Sequence, residues 1–428
     1  MIVTILNGNY EPSGFDTYLN ELSKSLEEKD CQVVQLDLRE MDLRYCTGCF
    51  DCWKKTPGRC QVEDASYEID RQVINSDFII WASPLKKGFP TALLKKSIDK
   101  LIPLIHPYFE VVNNEAHHRP RYDKYPKIAL LIEKESNTDD EDLNILKNIF
   151  SRTALNFKSQ LSFMESTEIP AEKISTLIID ETHQGIPIPK RPEPTQGLQI
   201  KPPKHLTIFN GSPRGAKGNT PIVLGKFLDG FTSNNSNTYE IHQLNKINQR
   251  EKHVEAFYNA ECVIIGFPLY TDAMPAIVKD FIEQICNPDN RSKNPPMGFM
   301  VQSGFPEAAH SRFIEQYLQK LAATLGVPYL GTMVRGGVEG IQIMPDNMTK
   351  NLFKSFFNLG NTFASDGVLD PRLLKKLVNL EAYPAILTPF FKLFTRLPFS
   401  SIYWDNQLKQ NGVFEERFAK PFLKKTDS

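Results

Sequence analysis

Residues 209–221 read FNGSPRGAKGNTP, with an apolar, strand-like HLTIF before them and a helix-spaced IVLGKFL after them. Glycines at 211, 215 and 218 permit a tight turn and a close backbone approach. Ser212, Asn219 and Thr220 can donate from their side chains, and Arg214 adds positive charge. A helix is expected to begin around Thr220-Pro221, where the missing proline N–H costs nothing, so its free amides face the loop. Dipole, amides and hydroxyls together describe an anion site. The triphosphate pattern GxxxxGK[ST] and the dinucleotide pattern GxGxxG are both absent, so a single phosphate monoester is the expected guest. A solvated turn would draw on the same residue types.

A second cluster of reactive side chains lies near the N-terminus, with the spacing Cys46-x2-Cys49-x2-Cys52-x7-Cys60. Two short gaps let thiolates converge on one corner of a cluster, and the longer Pro-Gly gap lets the fourth return. A [4Fe–4S] centre is chemically reasonable, although no proline follows Cys60. Four thiolates could also close a tetrahedron around structural zinc. The remaining alternative, and the favoured one, is a packed loop of free thiols anchored by Trp53, without metal. Lys54, Lys55 and Arg59 are expected to lower thiol pKa values nearby.

Positioning these loops requires strands and helices, and the chain supplies them twice. FIIWASPLKKGFPTALLKKSID (78–99) aligns without a gap on CVIIGFPLYTDAMPAIVKDFIE (262–283), and Asn7-Gly8 falls on Asn210-Gly211. Continuous apolar strands such as VIIG are buried on both faces, which calls for a parallel sheet covered by helices. Between the landmarks Gly8–Pro84 and Gly211–Pro268 the first half is 19 residues longer, the length of the segment Cys46–Asp64. Six prolines between Gln184 and His205 mark an extended connector. The expected division is 1–183, a 184–204 linker, 205–350, and a helical extension from 351 to 428 packed on the second domain.

In a doubly wound sheet the ligand lies beyond the carboxyl ends of the strands. There GFPLYTDAMP offers Pro268, Leu269, Tyr270 and Thr271, with Asp272 a candidate cap for a helix from Pro275, and VQSGFPE offers Ser303 and Gly304. One loop for phosphate and two for a flat ring make a flavin-sized site.

Over residues 205–330 the sequence resembles the flavodoxin-like family of NAD(P)H-dependent FMN reductases and quinone reductases. The resemblance implies an α/β fold of two tandem flavodoxin-like doubly wound parallel-sheet domains with a helical C-terminal extension. It also implies that Ser212, Arg214, Asn219 and Thr220 hold the FMN phosphate. Pro268, Leu269, Tyr270, Thr271, Ser303 and Gly304 would line the isoalloxazine. The first half keeps the outline but has Asn9, Glu11 and Asp16 where the second has Ser212, Arg214 and Asn219, and Lys86 in place of Tyr270. Two carboxylates facing a phosphate dianion would repel it, so one FMN per chain is expected. The cysteine spacing is similar to the motif of iron–sulfur flavoproteins, and similar motifs also occur in flavodoxin-like reductases that hold no cluster.

A formal net charge of -1 offers no global field for nucleic acid or an anionic membrane. The start MIVTILNGN reads as a strand rather than a leader, and the odd count of seven cysteines suits a reducing cytoplasm. The expected function is an FMN-dependent oxidoreductase passing electrons from NAD(P)H to a quinone, flavin or other small acceptor. The alternative is a non-enzymatic flavin electron carrier. No side chain need act as acid or base. His117, His118, Arg121 and Tyr122 form a polar segment without an assigned role, and the aromatic-rich tail is expected to pack as core or as a dimer contact.

Overall fold

The structure is a computed structural model of the chain and describes residues 1–112, 114–180, 185–233, 236–285, 294–378, 380–397 and 401–423. The boundary expected at 183/184 and Cys286 lie outside the described residues. The chain forms two compact units: Met1–Val112 with His117–Lys190 and Ile386–Ser428, and Asn113–Ala116 with Arg191–Ala385.

In the first half the strands are β1 (Ile2–Asn7), β2 (Gln32–Asp37), β3 (Phe78–Lys86), β4 (Phe89–Pro90), β5 (Ile105–Val112), β6 (Glu115–Pro120), β7 (Lys127–Glu133) and β8 (Leu161–Ser166). The second half has β9 (His205–Asn210), β10 (Thr238–Gln243), β11 (Val263–Pro268), β12 (Met297–Gln302) and β13 (Tyr329–Arg335). The sheets run β2-β1-β3-β7-β8 and β10-β9-β11-β12-β13, with every one of these neighbours parallel. Both have the flavodoxin-like strand order, with its switch point beside the first strand. Interior strands such as β11 and β12 are buried along their whole length, as their unbroken apolar runs require. The edge strand β10 is largely exposed.

Three features depart from the sequence expectations. The helix Asp346–Asp366 spans the boundary expected at 350 and closes the second doubly wound unit by packing on the helix Asn219–Phe231. Their backbones touch: a Cβ on Gly230 would lie 1.9 Å from the carbonyl oxygen of Phe357, and one on Gly360 1.8 Å from that of Phe227. Further on, Ile386–Ser428 group with the first unit rather than the second. Trp404 and Leu408 there join Cys52, Trp53, Ile105 and Tyr108 in one apolar cluster, because the exposed first-half loop offers them uncovered aromatic surface. Finally, β5 and β6 form a two-stranded sheet where only a polar segment was read. The connector is extended, and its later part lies along the second unit, with the Leu198 N–H donating to Tyr329 O and the Ile200 N–H to Gly367 O.

Candidate functional site

The loop after β9 is built around Asn210, whose Oδ1 accepts from the Ser212 N–H at 3.1 Å and whose Nδ2 donates to Gln243 Oε1 at 2.7 Å. Gly215 takes φ +57°. The helix Asn219–Phe231 has Gly218 as its N-cap residue, and no side chain caps it, so its first amides stay available for an anion. A Cβ on Gly218 would sit 2.2 Å from Ser212 Oγ, so only glycine lets the hydroxyl close on the helix terminus. Ser212, Asn219 and Thr220 are buried, and Thr220 Oγ1 accepts from Gln302 Nε2 at 3.3 Å. This cradle fits a phosphate group.

Arg214 and Asn219 are not simply turned toward a guest. Arg214 pairs with Glu339 at 3.1 Å, and Asn219 Nδ2 donates to the Glu339 carbonyl at 3.2 Å and carboxylate at 3.3 Å. Gln342 Nε2 donates to Asn219 Oδ1 at 2.8 Å. Glu339 comes from the loop after β13, and Gly304 lies beside its stem. Sequence reasoning missed Glu339, Gln302 and Gln342, since no local pattern links them to residue 214.

The corresponding loop of the first half has the same backbone and a different filling. The Asn9 N–H donates to Asn7 Oδ1 at 3.0 Å, the counterpart of the Ser212–Asn210 bond. The helix Gly14–Glu27 is capped by Ser13, with Asp16 completing a capping box. The Asp16 carboxylate accepts from Asn7 (2.8 Å), Asn9 (2.7 Å), the Ser13 N–H (2.9 Å) and Arg39 (2.7 Å). Burial pushes its pKa up, but the Arg39 bond and the other donors outweigh it and hold the group below the ordinary range. The donors that would receive a phosphate already serve a carboxylate that the chain itself supplies.

The ring loops are shaped by turns. After β11 the Tyr270 N–H donates to Ala273 O at 2.8 Å, closing a turn in which Thr271 and Asp272 lie at φ +47° and +58°. A β-branched residue at positive φ is strained, and such strain gathers at functional sites. The first half makes the matching turn with Lys87 and Gly88, at φ +56° and +67°. Pro268 is buried, whereas Leu269, Tyr270 and Thr271 are half-buried at the carboxyl end of the sheet. Ser303 Oγ donates to Phe305 O at 3.0 Å, and Gly304 is exposed. Asp272 does not cap the next helix, whose first turn follows Pro275 without a side-chain cap. It is buried instead, 3.9 Å from His310 Nδ1, and His310 Nε2 lies 4.0 Å from Glu307 Oε2. Burial raises the Glu307 pKa.

In the cysteine loop Trp53 is the anchor, donating from Nε1 to Ile105 O at 3.0 Å and stacking on Phe50 at 5.2 Å. Cys52 is buried, Cys46 and Cys60 are half-buried, Cys49 is exposed, and all four are free thiols. The lowered pKa values expected from the basic neighbours are not found at two of them. Burial pushes Cys46 up to about 12 and Cys52 well above its usual value, and the other thiols of the loop add to the rise at Cys52. Among the described residues no group of three or more His, Cys, Asp or Glu side chains is arranged to hold a metal ion.

Two sheets of the same strand order, each with its loops at the carboxyl ends, define a tandem flavodoxin-like protein. Residues 204–352 match the family described as flavodoxin-like fold, and residues 1–120 match the NADPH-dependent FMN reductases. Together the two matches make the chain a tandem of flavodoxin-like and FMN-reductase domains. It is 35% identical over 88 residues to an iron-sulfur flavoprotein of Archaeoglobus fulgidus, covering 21% of this chain and 39% of that one. With an iron-sulfur flavoprotein of Clostridioides difficile it shares 32% identity over 104 residues, 23% of this chain and 45% of the other. The chain thus spans about half the length, or less, of these curated relatives. Among solved structures, an NAD(P)H:quinone oxidoreductase from Methanothermobacter marburgensis aligns over 37% of this chain and 95% of its own, at 15% identity and a TM-score of 0.30. An FMN-dependent NADH-azoreductase from Bacillus anthracis aligns over 38% and 99%, at 14% identity and a TM-score of 0.31.

Proposed function

We propose that the protein is a flavin-dependent oxidoreductase that holds one FMN in its second unit and uses NAD(P)H to reduce a quinone, flavin or other small acceptor. The observation that carries this reading is the contrast between the two loops. The amides ahead of the helix Asn219–Phe231 have no side-chain cap, whereas those of the first half are occupied by Ser13 and Asp16. Family membership in both halves supports a flavin role in general. FMN, when bound, supplies hydride acceptance and electron release. Ser212, Thr220 and the amides of Asn219 and Thr220 would bind the phosphate, with Arg214 balancing charge at the rim. The strained turn at Thr271–Asp272 would present Tyr270 and Leu269 to the ring, and Ser303 and Gly304 would close its other side.

Reconstitution with FMN under anaerobic conditions, followed by desalting and absorbance, is expected to give one flavin per chain. Oxidation of NADH or NADPH should then depend on an added quinone. A flavin count near two, or retention of flavin after Thr220 and Ser212 are both changed to Ala, would overturn the assignment.

The four clustered cysteines and the names of the curated relatives favour one second reading, an electron carrier with an iron–sulfur centre. Iron and acid-labile sulfide measured on the same anaerobic sample decide between the two readings, and the expected content is far below four of each per chain. A homodimer is part of the proposal. Phe390 and Leu393 remain exposed on the helix Thr388–Arg396, and sedimentation equilibrium measures the outcome. The free thiols support a reducing, cytoplasmic setting.

A further inference from the structure

The first unit contains a cavity of about 600 Å³ that the flavin reading does not use. It is walled by β5, by the end of β6 and the segment that follows it to Tyr125, and by the C-terminal tail around Phe418. Tyr125 lies two residues before β7, and Lys124 is bonded to Asp77, which immediately precedes β3. The cavity therefore adjoins the amino ends of the parallel strands, whereas flavin loops leave the carboxyl ends.

Its floor holds a charge without a counter-charge. Arg121 is 2% exposed and its guanidinium donates only to carbonyls, from Nε to Pro103 O (2.9 Å) and from Nη1 to Ala419 O (3.0 Å) and Arg417 O (3.1 Å). Its Nη2 is buried and has no partner among the described residues, and neither has Nδ1 of His106, which is 5% exposed. Among the other lining charges Lys158 pairs with Glu110 and Lys420 with Asp123, each at 2.6 Å, while Arg119 donates to the carbonyls of Phe109 and Thr395. A buried guanidinium satisfied on one edge by neutral carbonyls and bare on the other is unfavourable unless an anion completes it. The remaining wall is aromatic: His106, Tyr108 and Phe418 meet ring to ring, with Phe418 set edge-on to His106 at 5.3 Å. Phe418 is 56% exposed, so it stands at the mouth.

We propose that this cavity binds a small planar aromatic molecule carrying a carboxylate or phosphate, with the oxyanion on Arg121 Nη2 and the ring against Tyr108 and Phe418. Bidentate or end-on capture of an oxyanion is the chemistry of a planar guanidinium, and aromatic side chains supply stacking area at little entropic cost.

The test is calorimetric titration of the full chain with naphthoate, naphthyl phosphate and the neutral isostere naphthamide. One of the anions is expected to bind with a Kd below about 1 mM, and naphthamide at least about tenfold more weakly. Whichever anion binds more tightly identifies the oxyanion. Arg121→Met should abolish the heat, and Phe418→Ala, at an exposed position that does not threaten folding, should weaken binding severalfold while leaving FMN content unchanged. Naphthamide binding as tightly as the anions would overturn the proposal. So would the absence of binding by both anions, or affinity unaltered in Phe418→Ala.

Discussion

At the scale of single residues, the loops after β1 and β9 differ in who supplies the negative charge. In the second unit Glu339 stands beside Arg214 and Asn219, so a guest phosphate must share those donors with a resident carboxylate. The pair is about one-quarter exposed, at 25% and 28%, so its coupling falls in the range of about 0–1 kcal/mol. Glu339→Gln is therefore expected to tighten FMN binding by up to roughly fivefold. Arg214→Ala should weaken it, and the double variant should return close to the parent, all read by quenching of FMN fluorescence. In the first unit Asp16 has become the resident anion. Its folded pKa is depressed, so its contribution to stability is full above the unfolded value of about 3.9 and is lost as pH falls through the folded one. Asp16→Asn should cost roughly 1–3 kcal/mol at neutral pH. The difference from the parent should shrink below about pH 4 in urea titrations; a gap independent of pH would contradict it.

At the scale of elements, the helix Asp346–Asp366 packs backbone to backbone on the helix Asn219–Phe231, which starts at the loop after β9. Gly360→Ala pushes a methyl group into the Phe227 carbonyl and is expected to cost roughly 1–3 kcal/mol. Gly225, on the partner helix Asn219–Phe231 with nothing near its Cβ position, is the control: Gly225→Ala should gain roughly 0.5–1 kcal/mol. Melting temperatures separate the two. This contact also marks how far the sequence could be read. GSPRGAKGNT was legible because a tight turn, hydroxyls and a helix start are local chemistry, and the duplicated strands were legible because continuous burial leaves an unbroken apolar run. The carboxylates at 11 and 16 were read as hostile to phosphate, but the capture of Asp16 by Asn7, Asn9 and Arg39 depends on side chains from separate elements. Glu339 and the β5–β6 sheet carry no local signature, and burial rather than neighbouring lysines governs the Cys46 and Cys52 thiols.

At the scale of the molecule, hydrophobicity gave the tail a reason to pack without an address. Trp404 and Leu408 meet Trp53 and Tyr108, so the first unit is completed by residues 386–428. A chain ending at 385 is expected to expose Trp53, shown by a red-shifted emission and a lowered Tm, while FMN content stays at the full-length value. Loss of flavin in that truncation would contradict the independence of the second site. Among the described residues no helix is long and apolar enough to cross a membrane.

The return of the chain to its first unit also sets a timetable for synthesis. The second unit can close as soon as residue 385 has left the ribosome, because all of its described elements lie before that point. The first unit begins earlier and finishes later. At about 5–20 residues per second it waits on the order of 10–40 s between the emergence of Lys190 and that of its last segment. Throughout that interval Trp53 and the Cys52 thiol lack the cover of Trp404 and Leu408, Arg121 lacks the carbonyls of Arg417 and Ala419, and the nascent half is open to oxidants and chaperones alike.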